Sequence, residues 1–250
     1  MKIYRITAVL LAAAMAAGML AACGEPEYEE GTTESETRVI VQTEAVTDTQ
    51  PATETVEEVV TEPVIPTTSS IGLAFTLNSN GKGYTCTGIG TCTDTDIVIP
   101  EGVREILSDA FKDCEQTERV RIPDSVVKIE PNAFDGCTNL KSVIFGKNLQ
   151  FIGCEAFRGC TSLQKVILPS GLQMICEAAF YCCHSLTEVS IPDSVTGLGP
   201  NAFGMCRNLT GVRYRGTKKS WNAMNRNRRW KHKSPIRTVE CMDATVSLLF

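Results

Sequence analysis

An Ala-Phe-x-x-Cys motif occurs five times at one fixed interval, with Phe111, Phe134, Phe157, Phe180 and Phe203 following one another every 23 residues. Three more columns keep the same register: Ala110, Ala133, Ala156, Ala179 and Ala202; Cys114, Cys137, Cys160, Cys183 and Cys206; Val120, Val143, Val166, Val189 and Val212. A repeat this short is one supersecondary unit that cannot bury its own inward side chains, so each unit depends on its neighbours. The predicted architecture is a solenoid.

Within one unit, Leu140-x-x-Val143-x-Phe145, Ile152 and Ala156-Phe157-x-x-Cys160 set apolar residues two and three apart and never hold a helical 3, 4, 3 spacing. Short strands and tight turns are expected. Leu140 to Phe145, Leu163 to Leu168 and Leu186 to Ile191 match the Leu-x-x-Leu-x-Leu core of leucine-rich repeats, whose alternating part is a strand in a parallel sheet. Pro123, Pro169 and Pro192 are read as strand ends, because proline has no N–H for a ladder and fixes its own φ. Gly146 takes that place in the third unit.

The ends of the chain differ from this stretch. Lys2 and Arg5 precede an apolar run from Ile6 to Leu20 that is short and rich in alanine, which reads as an export signal. Leu20-Ala21-Ala22-Cys23-Gly24 looks like the lipobox of bacterial lipoproteins, and that resemblance makes Cys23 the lipidated first residue of the mature chain. Two acyl chains at about 0.8 kcal/mol per buried CH₂ would anchor the protein without spanning the bilayer. Residues 24–70 carry twelve acidic residues against Arg38 alone and little that a core could use, so a disordered, extended tether is expected.

The columns together resemble the BspA-like (bacterial surface antigen type) leucine-rich repeat family. Its signature, Ile-Pro-x-x-Val-x-x-Ile-x-x-x-Ala-Phe-x-x-Cys-x-x-Leu-x-x-Val, is nearly intact from Ile122 to Val143 and from Ile191 to Val212. Thr117 stands where leucine is expected and Leu198 where isoleucine is. The resemblance covers about residues 73–241, with an opening coil from Tyr84 to Pro100 and a closing cap around Tyr214-x-Gly216-Thr217-x-x-x-Trp221. It implies a mostly β, right-handed leucine-rich repeat coil with a parallel β-sheet of short strands, tight turns and 3-10 segments. The expected organisation is a signal peptide (1–22), a lipidated tether (23–70), an N-terminal cap (71–100), five repeats (101–212) and a basic C-terminal cap (213–250). The resemblance further implies a bacterial surface protein that adheres to host or bacterial components.

No catalytic constellation is legible. There are two histidines, His184 and His232, and Asp124-Ser125 and Asp193-Ser194 follow prolines where such residues are ordinary turn formers. Twelve cysteines in an exported chain normally suggest disulfides, but five sit on a packing column where in-register side chains point the same way and rarely reach a disulfide dihedral. Free buried thiols are expected there, with Cys86, Cys92, Cys154, Cys176, Cys182 and Cys241 as the better bridge candidates. Cys182-Cys183-His184 offers zinc-type ligands, but adjacent residues seldom converge on one ion, and neither metal nor cofactor is expected.

Two surfaces are candidate binding sites. If Val143 and Phe145 point inward, the sheet presents outward Arg119, Arg121, Ile144, Lys165, Ile167 and Arg213, a face for an extracellular protein or glycan. The cap run from Arg213 to Arg237 holds ten basic and no acidic residues, with Trp221 and Trp230 among them. Lys218, Lys219, Arg226, Arg228, Arg229, Lys231 and Lys233 form a candidate patch for an anionic wall polymer; nucleic acid is not an expected partner. Thr217 is expected to cap a short helix that turns Trp221 and Met224 inward.

Overall fold

The computed structural model describes residues 69–78 and 83–248, which fall in the compact unit Pro63–Phe250. The expected signal peptide, Cys23 and the expected tether up to residue 68 lie outside the described residues. Among the described residues no helix is long and apolar enough to cross a membrane.

The column Ile97, Val120, Val143, Val166, Val189, Val212 and Val239 is buried throughout and marks seven successive coils. On one side of the stack, β3 (Asp96–Val98), β5 (Arg119–Arg121) and β7 (Ser142–Ile144) form a parallel sheet. A second sheet continues that side with β9 (Lys165–Ile167), β11 (Glu188–Pro192), β13 (Gly211–Arg215), β15 (Thr238–Glu240) and β16 (Thr245–Ser247). Pairing is in phase with the repeat, Val120 against Val143 and Val166 against Val189. β11 ends at Pro192, as expected of proline at the corner, although Pro192 is itself still in register with Arg215 of β13. Proline lacks only the donor, and the Leu168 carbonyl that Pro192 cannot serve accepts instead from the Arg215 guanidinium.

Another side carries a sheet that the repeat motif does not announce. It consists of β1 (Ala74–Leu77), β2 (Tyr84–Gly88), β4 (Val103–Ile106), β6 (Lys128–Ile129), β8 (Phe151–Ile152), β10 (Met174–Ile175), β12 (Gly197–Leu198) and β14 (Asn225–Arg226). It buries the column Ile106, Ile129, Ile152, Ile175 and Leu198. The first sheet side is interrupted between β7 and β9, whereas β8 and β10 of the same two coils remain paired. Antiparallel pairs finish the stack, β1 on β2 at one end and β15 with β16 at the other.

The Ala-Phe segment runs as successive turns, with no 3-10 helix among the described residues. Its backbone still reaches the next coil: the N–H groups of Phe111, Phe134, Phe157 and Phe180 donate to Ala133, Ala156, Ala179 and Ala202. Flanking N–H groups do the same because their residues are left-handed. Asp109, Asn132, Glu155, Ala178 and Asn201 have φ between 52° and 58°. Gly90, Asp113, Gly136, Gly159, Cys182 and Met205 form a second such column. Donation along the axis imposes that φ on whichever side chain stands there, at about 1–2 kcal/mol for a residue with a Cβ. Cys182→Gly, which restores what three other coils use, is expected to raise the unfolding free energy by about 0.5–1 kcal/mol. Denaturant titration checks it; a variant less stable than the parent would show that the Cys182 side chain outweighs its strain.

In the core the five phenylalanines stack face to face, with centroids 4.9, 5.0, 5.2 and 5.3 Å apart and ring planes within 4°. Trp230 closes the stack edge-on against Phe203. The cysteine column is hydrogen-bonded as well as apolar. Cys137, Cys160, Cys183 and Cys206 donate Sγ–H to the carbonyls of Phe111, Phe134, Phe157 and Phe180 at 3.0, 3.3, 3.2 and 3.1 Å. Burial pushes the Cys137 and Cys206 thiols up to about 12, and Cys160 and Cys183 also stand well above the ordinary value. Thiols held protonated this way are poor nucleophiles. Thr117, in the leucine column, is fully buried with its hydroxyl unpartnered.

Candidate functional site

Alternation in the strands sets Asp96, Arg119, Ser142, Lys165 and Glu188 in one column on the side away from the core, and Val98, Arg121, Ile144, Ile167, Ser190 and Arg213 in the next, of which Val98 and Ser190 are covered and buried. Most charges on this face answer one another. Arg119 donates through Nε and Nη2 to both Asp96 oxygens at 2.8 and 2.6 Å, and these bonds hold its guanidinium above the ordinary value. Lys165 pairs with Glu188 at 3.2 Å, and Arg213 reaches Glu188 at 3.4 Å and Glu240 at 3.9 Å. Elsewhere Glu118–Lys141, Asp124–Lys147 and Asp135–Arg158 repeat the arrangement. Each of these pairs except those of Arg213 joins residues one 23-residue period apart, so a sequence scan for opposite charges at that interval finds them.

Arg119, Lys165 and Arg213 are therefore engaged within the protein. Arg121 is exposed and has no ion-pair partner among the described residues. Ile144 is half-buried beside it, and Ile167 is 49% exposed. Arg121 and Ile144 line a shallow groove of about 310 Å³ together with Val98, Pro123, Phe145 and Gly146. The groove lies over three successive coils at the corner where the strands end. Gly146 is needed there because a Cβ would come within 2.1 Å of the Pro123 carbonyl oxygen. The chain enters nearby: Ser70 N–H donates to the Val98 carbonyl, and Val98 N–H to the Ser70 hydroxyl, both at 3.0 Å. Ile167, Lys165 and Arg213 lie outside the groove lining.

The basic run of the C-terminal cap is divided by the fold. Thr217 Oγ1 accepts from Ser220 N–H at 3.1 Å and caps helix α1 (Lys218–Ala223), which buries Trp221 completely and leaves Lys218 and Lys219 exposed. Arg228, Arg229 and Lys233 are exposed on the turns that follow. Arg226 instead lies half-buried in the register position of the isoleucine column, its guanidinium 4.4 Å from the Trp221 ring centre and its Nη1 unpartnered. Desolvation lowers its pKa from the ordinary arginine value. Lys231 donates Nζ–H to the Ile236 carbonyl at 3.0 Å. Sequence reasoning placed these seven cations together because it could not see which of them the last coil recruits.

Cys182 and Cys183 diverge. Cys183 donates into the core, Cys182 sits on the left-handed turn, and His184 Nε2 is buried without a partner. Among the described residues no three histidine, cysteine or acidic side chains converge as metal ligands.

Residues 90–210 match the profile of the BspA type leucine rich repeat region in six copies. A leucine-rich repeat protein of T. pallidum is similar at 33% identity, with 57% of this chain and 68% of that one covered and a TM-score of 0.55. A leucine rich cell surface protein of Faecalibacterium prausnitzii is similar at 32% identity over 63% of this chain and 42% of its own, with a TM-score of 0.57. A leucine-rich repeat protein of Bacteroides ovatus shares the fold at 21% identity, over 67% of this chain and 45% of its own, with a TM-score of 0.55. No curated protein matches the sequence.

Proposed function

We propose, for a chain that belongs to the BspA-type leucine-rich repeat family, a bacterial surface protein, anchored through lipid on Cys23, whose solenoid is a non-enzymatic binding scaffold. The observation that carries this reading is the groove over three coils. It sets Arg121, which has no ion-pair partner among the described residues, beside an apolar side chain, Ile144; of the two carboxylates that also line it, Asp124 is paired with Lys147 and Glu101 stands at the rim. A groove of this kind fits an extended protein segment or glycan chain that offers one anionic group next to an apolar surface. The cell-surface description of the F. prausnitzii relative supports the location. The lipobox supports an anchor on the outer face of the cytoplasmic membrane, with the acidic tether carrying the solenoid away from it.

A second reading rests on Lys218, Lys219, Arg228, Arg229 and Lys233, exposed at the cap without ion-pair partners among the described residues. These suit an anionic wall polymer. Salt separates the two, because attraction between exposed charges is screened beyond about 8–10 Å at physiological ionic strength whereas apolar contact persists. The solenoid is assayed against matrix proteins, glycans and wall polymers at low and high salt. Ile144→Asp is expected to weaken a salt-resistant hit by about tenfold or more, equivalent to about 1.4 kcal/mol. Binding unchanged by that substitution, and by Arg121→Ala, removes the groove as the site. Hits confined to anionic polymers and lost in salt assign the function to the cap.

A further inference from the structure

Eleven cysteines fall among the described residues, all reduced; seven are buried, and Cys154, Cys176, Cys182 and Cys241 reach the surface. Cys154 is exposed and Cys176 half-buried, and burial together with the neighbouring Cys154 pushes the Cys176 thiol up to about 11. They follow a paired ladder, Ile152 against Ile175, by two residues and by one. Neighbouring parallel strands are about 4.8 Å apart and a one-residue stagger adds about 3.3 Å along the chain, so the Cα separation expected from register is roughly 5.8 Å, inside the range a disulfide spans. The column cysteines lack this stagger, and Cys137, Cys160, Cys183 and Cys206 turn their sulfurs to phenylalanine carbonyls.

A second observation concerns the place. Cys154 belongs to the coil of β7 and β8, and Cys176 to the coil of β9 and β10. Between those two coils the outer sheet is interrupted, leaving the two-residue pairing of β8 with β10 as their strand ladder.

We propose that Cys154 and Cys176 are a redox-modification site, closed into a disulfide that staples the third and fourth of the strand-bearing coils across the gap in the outer sheet. The partner is a disulfide-bearing thiol oxidant. The exposed Cys154 thiolate attacks one sulfur of the oxidant, whose S–S bond breaks and releases one thiol. Cys176, its proton passed to solvent, then attacks Cys154 Sγ in the mixed disulfide and expels the second thiol. The two protein thiols lose two electrons and two protons, and the oxidant becomes two thiols. The proposal uses the surface reading for its oxidising compartment alone; the chemistry is tested in vitro, so a binding face that fails leaves it standing.

The mature chain is equilibrated with glutathione disulfide, alkylated, and cleaved with trypsin and a glutamate-specific protease for peptide mapping. A Cys154–Cys176 linked pair is expected as the dominant disulfide, with the column thiols unmodified until the chain is unfolded. Melting is expected to fall by roughly 5–10 °C on reduction, from the loop-closure entropy of a loop this size. Cys154→Ser and Cys176→Ser should each melt near the reduced parent and ignore reductant. Full alkylation of both thiols after oxidation, a bond from Cys154 to another cysteine, or melting indifferent to reductant overturns the proposal.

Discussion

Phe157→Ala is expected to lower the unfolding free energy by about 3–5 kcal/mol, the range for emptying a phenylalanine site in a packed core. Phe157 is fully buried, stacked between Phe134 and Phe180, and meets Phe145 edge-on at 5.7 Å. Phe111, which ends the stack, has one such neighbour, so Phe111→Ala should cost about 0.5–1.5 kcal/mol less. The Phe157–Phe180 contact also bridges the two coils whose outer ladder is interrupted. In a nearest-neighbour array, weakening one interface uncouples the units on either side. Beyond its lower midpoint, Phe157→Ala should therefore show a reduced denaturant slope or two separate transitions. A variant that melts with the parent's midpoint and slope would refute the stack as the spine of the fold.

Arg158→Ala is expected to cost about 2–4 kcal/mol, more than the median surface ion pair, because it strands a carboxylate that the fold has already removed from water. Arg158 Nε and Nη2 donate to both Asp135 oxygens at 2.8 and 2.7 Å; the Asp135 side chain is 5% exposed and that of Arg158 44%. These bonds push the Arg158 guanidinium above its ordinary value. The reciprocal change should be milder. In Asp135→Asn, Arg158 keeps Glu155, 2.8 Å away, and can turn to solvent. Chemical denaturation of both variants checks this. A deficit of Arg158→Ala no larger than that of Asp135→Asn would mean that Arg158 acts through packing alone.

The phenylalanine, alanine, cysteine and valine columns were readable because each position demands one kind of side chain: a flat ring to stack, no side chain to spare at a corner, a small donor facing a carbonyl. The left-handed columns were not. A backbone N–H directed at the next coil fixes φ, and Asp109, Asn132, Glu155, Ala178 and Asn201 share nothing else that a sequence displays. The second sheet escaped notice for a related reason. Strands of two residues, such as Lys128–Ile129, are too short to show alternation, so Ile129 and Ile152 read as lone apolar positions. At the candidate groove, Arg121 and Ile144 were legible from strand alternation. That Arg119 and Lys165 are spoken for by carboxylates depended on reading charges across the period, whereas the partners of Arg213 lie off that interval, and the burial of Arg226 depended on how the last coil closes over Trp221.

The antiparallel pairs at the two ends, β1 on β2 and β16 on β15, give the protein an evolutionary property. On the β4-to-β12 side each coil pairs with the next in one register 23 residues apart, so duplication of one 23-residue segment would insert a coil that both neighbours already fit there. The ends would not change, and no new sheet edge would be exposed to other chains. The length of the stack becomes a variable that a single in-frame duplication can alter, while the groove near its N-terminal end is inherited intact. Lineages carrying this repeat would then be expected to differ in coil number far more readily than in the sequence of either end.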